Sequence, residues 1–112
     1  MKKLAVFLVS ILFNAAVYAD MNTSWRQIQS VGCHTVDTTC FVEISGNPIG
    51  PNACRSNSFR WDRKKSPNGD ASLSLLTAAF AAGYQVSLQV PDQCYQDQPN
   101  YPTFIWFNVK RA

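Results

Sequence analysis

Four cysteines, Cys33, Cys40, Cys54 and Cys94, constrain this chain more than any other feature. An even count in a small exported chain reads as a disulfide framework, and four cysteines allow three pairings. A zinc site would want close pairs such as C-x2-C. The shortest gap here has six intervening residues and the only histidine is His34, so no metal and no cofactor are expected. Cys33 and Cys40 flank a candidate hairpin, and their spacing permits a bridge across it. That would leave Cys54 with Cys94, joining two loops far apart in the chain.

Export is read from the first residues. "MKK" is a short basic segment, "LAVFLVSILF" an apolar run of signal-peptide length, and Val17 and Ala19 are the small residues a signal peptidase reads. Residues 1–19 are therefore assigned to a cleaved signal peptide and residues 20–112 to one domain, placed outside the cell or in the periplasm. The apolar run is too short for a comfortable membrane span, so no transmembrane segment is expected in the mature chain. The formal charge of +3 includes Lys2 and Lys3 and falls to +1 without them. A polyanion-binding role, nucleic acid included, loses its electrostatic basis.

Along the mature chain the pattern predicts β-β-β-α-β-β. "WRQIQSVGCH" and "CFVEIS" alternate as strands around the turn "TVDTT", and "NSFRWDR" is a third strand. "ASLSLLTAAFAAG" is the one helix, with Asn68 or Asp70 to cap it and Gly83 to end it. "YQVSLQV" places Val86, Leu88 and Val90 on one face, and "TFIWFNVK" is the last strand. A mainly β chain with one helix between its third and fourth strands fits an OB-fold-like five-stranded barrel.

The helix and the last strand share an anomaly. At ~100° per residue, Leu73, Leu76, Ala79 and Phe80 form the stripe expected to pack on the barrel. After Asp70 the remaining faces carry no charge, and Leu75 and Ala78 lie among them. In the last strand, Phe104 and Trp106 point opposite to Ile105, Phe107 and Val109, so both faces are apolar. Leu75, Ala78, Phe104 and Trp106 are accordingly expected at a subunit interface of a homo-oligomer. The competing expectation is that the loop "YQDQPNYP" folds over Trp106.

The segment "NACRSNSFRWDRKKSPNGDASLSLLTAAFAAGYQVSLQVPDQC" resembles the subtilase cytotoxin B-subunit-like family of small exported bacterial proteins. The likeness rests on Cys54, Asn57, Phe59, Pro67, Gly69, the Leu73–Ala82 helix, Gly83, the Val86–Val90 strand and Cys94, and covers about residues 53–94. It implies an OB-like barrel and a Cys54–Cys94 disulfide. It also implies an AB5-type ring: a pentamer that binds cell-surface glycans, with a catalytic A subunit seated on it. The Cys33–Cys40 pair lies outside that pattern, and no sugar-contacting residue carries over from it.

Catalysis finds little support in the residues. His34 adjoins a cysteine expected to be oxidised, the acids are scattered without paired spacing, and Ser72 and Ser74 lack an elbow motif. The chain therefore reads as a non-enzymatic binding module. Composition nominates Trp25, Arg26, Tyr95 and Tyr101 as ligand-binding residues, because aromatic faces stack on sugar C–H surfaces and polar side chains take hydroxyls. A stand-alone periplasmic or surface module that binds another protein is the alternative.

Overall fold

Val42 and Ile44 flank Glu43, while Val86, Leu88 and Val90 alternate with Ser87 and Gln89, and all five bury completely. They lie on β3 (Thr39–Ile44) and β5 (Gln85–Val90) of a computed structural model that describes residues 20–112. The signal peptide assigned to residues 1–19 lies outside the described residues. The described residues are mainly β with one helix. The remaining strands are β1 (Met21–Asn22), β2 (Arg26–Cys33), β4 (Ser58–Asp62) and β6 (Trp106–Lys110), and α1 spans Gly69–Ala82. The five strands expected from the sequence are β2 to β6, and the two-residue β1 is an addition.

All pairings in the sheet are antiparallel. β2, β3 and β4 form a meander, β2 also pairs β5, and β5 pairs β6. β1 continues the β2 side of β5, through Met21↔Val90 and Asn22↔Gln89. Between β1 and β2, Thr23 keeps the ladder going with its side chain. Its Oγ1 accepts from the Leu88 amide at 2.9 Å, and Ser24 then turns through a φ of 60°. A register shift between Ile28 and Ser30 bends β2 so that it serves both halves of the sheet.

The expected barrel is not closed. β4 and β6 are not paired with each other, and the edge of β4 is met at one point, where the Arg60 amide donates to the Pro102 carbonyl at 2.9 Å. Trp61, Phe104 and Phe107 fill the space between them with edge-on ring contacts at 5.3 and 5.7 Å.

Both disulfides join the expected partners, Cys33–Cys40 across the β2–β3 hairpin and Cys54–Cys94 between loops. They fit an oxidising, non-cytoplasmic setting. Among the described residues, no helix is long and apolar enough to cross a membrane.

Helix α1 ends at Gly83, whose φ of 72° is open to glycine at little cost and whose amide closes on Phe80. Its start differs from expectation. Asn68 occupies the cap position but donates and accepts no side-chain capping bond, and Asp70 instead pairs with Lys64 at 2.9 Å and Arg63 at 3.3 Å. Leu76 and Ala79 bury and Leu73 packs against the core. Phe80, expected in the same stripe, remains 44% exposed. It lies at the last turn of the helix, on the flank opposite Leu75.

Candidate functional site: the α1–β6 face and the loop over β4

The last strand resolves its two apolar faces unequally. Phe107 and Val109 turn inward and pack on the core. Regular pairing starts only at Trp106, so Phe104 escapes the alternation and reaches the core edge-on to Trp61. Trp106 stays 47% exposed and Ile105 55% exposed. Across from them on α1, Leu75 is 55% exposed, and Ala71 and Ala78 are exposed beside it.

Ala71, Leu75, Ile105 and Trp106 border a groove of about 790 Å³ between the first half of α1 and segment 104–109. Its floor includes Trp61 and Gly69, and Ser66, Asn68, Ser72 and Asn108 supply polar groups along it. Among the described residues, no charged side chain lines it. Of the four expected interface residues, Leu75, Ala78 and Trp106 are exposed, and Phe104 spends part of its surface on the core.

The four expected ligand-binding residues fall into two separate neighbourhoods. Trp25 stands at the β1–β2 corner, 40% exposed, with the Lys110 ammonium 4.4 Å from its ring centre. Arg26 beside it is committed to main chain. Its Nε donates to the Thr23 carbonyl at 2.8 Å and its Nη1 to Ser45 at 2.7 Å and Asn47 at 3.3 Å. Gly46, with a φ of 92°, lets the guanidinium pass so close that a Cβ there would collide with it.

Tyr95 and Tyr101 belong to the other neighbourhood. Their loop does fold over a strand, but the strand is β4 rather than β6. Tyr95 is buried, with its hydroxyl 2.8 Å from Thr39 Oγ1, and burial pushes its phenol up from the ordinary value. Tyr101 stacks on the Arg60 guanidinium at 3.7 Å.

This covering explains why every residue of β4 is buried. Phe59 and Trp61 face the core, while Ser58, Arg60 and Asp62 face away from it. Asp62 is held by three donors, the Thr38 hydroxyl at 2.8 Å and the Lys64 and Lys65 amides at 2.9 Å. Burial alone would raise its carboxyl, but these bonds outweigh burial and keep it below the ordinary carboxylate range.

Arg60 is not among the residues that the sequence nominates. The side chain is only 8% exposed and lies between the Tyr101 ring and the Phe41 ring, 4.8 Å away. Its Nη1 donates to Gln98 Oε1 at 2.7 Å and faces His34 Nε2 at 3.3 Å. His34 Nδ1 is in turn 3.0 Å from Asp37 Oδ1. With Cys33 oxidised, His34 has no thiol to activate. Alternation in "SFRWD" marks Arg60 as opposite the core, but nothing local announces a cover on that side.

The chain matches no family model, no curated protein and no solved structure in comparisons with each.

Proposed function

We propose that this chain is a secreted or periplasmic, non-catalytic binding subunit that assembles with copies of itself and recognises a cell-surface glycan. The observation that carries the reading is the α1–β6 face. After the core has closed, Leu75, Ile105 and Trp106 remain about half exposed around an uncharged groove. Contiguous apolar surface of this kind is costly to leave in water and is characteristic of contact surfaces. A neighbouring copy covers it in this reading, with the small Ala71 and Ala78 permitting close approach.

The strand order supports an OB-like barrel left open between β4 and β6, with α1 inserted between β4 and β5. In the toxin B subunits that the 53–94 segment resembles, five copies form a ring around their helices. A pentameric ring, with or without an A subunit, is the corresponding arrangement here. The sugar falls to exposed aromatic surface outside that contact. Trp25, backed by Lys110, is the best-presented of the expected ligand residues, and the outer edge of Tyr101 is the second.

Glycan-array binding by the assembled protein tests the reading. The expected result is retention of a defined sugar class, weakened at least tenfold by Trp25→Ala while the assembled mass is unchanged. An assembled oligomer that binds no glycan removes the carbohydrate assignment. Among the described residues the outer edge of β6 is unpaired, which favours a second reading, in which an extended segment of another protein adds to the sheet. Recovery of a stoichiometric protein partner from envelope extract, with no sugar bound, would favour that alternative.

A further inference from the structure

Segment 94–102 is a compact loop with a closed base. Cys94 is anchored to Cys54, and Cys94 and Pro102 form a β-bridge where the loop begins and ends. Inside the loop, the Tyr95 amide donates to the Tyr101 carbonyl at 2.8 Å, and the Tyr101 amide donates to Gln98 at 3.0 Å. The outer part of the loop is held to the sheet by Arg60, through the Gln98 side chain and the Tyr101 ring. Among the described residues, Arg60 has no carboxylate at ion-pair distance; its Nε donates to Ser58 Oγ at 3.3 Å on its own strand, and its Nη1 also faces His34.

The His34 contact fixes a tautomer. Arg60 Nη1 can only donate, so Nε2 of His34 must present its lone pair and the ring proton must reside on Nδ1, where it is given to Asp37. A second proton on the ring would occupy Nε2. It would set an imidazolium against a guanidinium at 3.3 Å and end the hydrogen bond. Asp37 stays ionised throughout. The Thr39 amide, then His34, hold its carboxyl below the ordinary range, so it continues to favour the charged ring. The other group against His34, the Phe41 ring 6.5 Å away, carries no charge.

We propose that His34, Arg60 and the Gln98–Tyr101 segment form an acid-sensitive latch, closed when His34 is neutral and loosened when it is protonated. The sign follows from charge: with a second proton on His34, the closed latch holds two cations at 3.3 Å and the open one does not. The motion is confined to the outer loop, because the disulfide and the 94–102 bridge keep its base in place. It would widen the cleft of about 370 Å³ that Tyr95, Gln96 and Asp97 line against Asp62 and Lys65. The device is independent of what the α1–β6 face binds.

His34 is the only histidine, so its ring nitrogens give an unambiguous NMR signal. At about pH 7.5 the spectrum is expected to show the Nδ1-protonated tautomer, the minor form of a free imidazole. Between about pH 7.5 and about pH 5, hydrogen-exchange protection of the Tyr95 and Tyr101 amides should fall at least tenfold, after correction for intrinsic rates. The Val86 and Leu88 amides should hold theirs. In His34→Gln, which offers Arg60 a neutral acceptor at every pH, the loop should stay protected across the range. An Nε2-protonated ring at neutral pH, unchanged loop protection in acid, or the same acid loosening in His34→Gln would each overturn the proposal.

Discussion

Replacing Cys54 and Cys94 together by serine is expected to lower the unfolding free energy by roughly 4 kcal/mol, on a chain-entropy argument for a loop of this size. The bridge spans a sequence separation of 40 residues and ties the chain before β4 to the base of the loop that covers β4. Its loss frees the unfolded chain and also weakens the cover over Arg60 and Asp62, two polar groups buried on that side. Typical domains are stable by only about 5–15 kcal/mol, and a small core sits at the low end. The double variant should therefore be largely unfolded at 37 °C. Urea denaturation monitored by circular dichroism measures the effect, and a midpoint within experimental error of the parent would refute it. The Cys33–Cys40 bridge closes a separation of only 7 residues in a hairpin already paired by β2 and β3, so its removal should cost less.

Trp61→Ala is expected to cost about 3–5 kcal/mol, as large aromatic deletions in cores do. Trp61 is buried on β4, contacts Phe104 edge-on, and donates its indole N–H to the Gly69 carbonyl at 3.0 Å. It thus joins three parts of the molecule that the sheet itself leaves unjoined: the β4 edge, the start of α1 and the segment entering β6. Trp61→Phe keeps most of the ring packing and loses the indole bond, and should cost about 1–2 kcal/mol. The ratio between the two variants is the diagnostic, since equal small losses in thermal melts would mean that Trp61 does not bridge the gap between β4 and β6.

Much of this architecture is legible locally. Val42 and Ile44, then Val86, Leu88 and Val90, announce half-buried strands by period alone. The Ala- and Leu-rich segment ending at Gly83 announces the helix. The hairpin spacing of Cys33 and Cys40 anticipates their bond. What local pattern cannot carry is the identity of the second cover on a strand. Both "SFRWD" and "WFNVK" need one on one face, and the loop rich in Tyr, Gln and Asp could have served either.

The loop goes to β4 because Cys94 is bonded beside that strand and Arg60 offers its flat cation to Tyr101. Those are contacts between residues 38 or more positions apart. The same long-range choice buries Arg60 and Tyr95 and leaves Trp106 exposed. Arg26, elsewhere, is held by main-chain carbonyls. Phe104 departs from the expected alternation because the strand begins two residues later than its apolar run. Phe80 falls off the core stripe because the last turn of α1 overhangs the sheet. Such end effects are beyond a 100° periodicity.

In the proposed assembly, α1 and β6 present more apolar surface than one copy can cover. Molar mass by light scattering at micromolar concentration tests it most directly. The parent protein should have the mass of several chains, and the paired substitution Leu75→Ser with Trp106→Ser should have the mass of one, with an unchanged circular dichroism spectrum. A parent protein that runs as a single chain at that concentration would contradict the account.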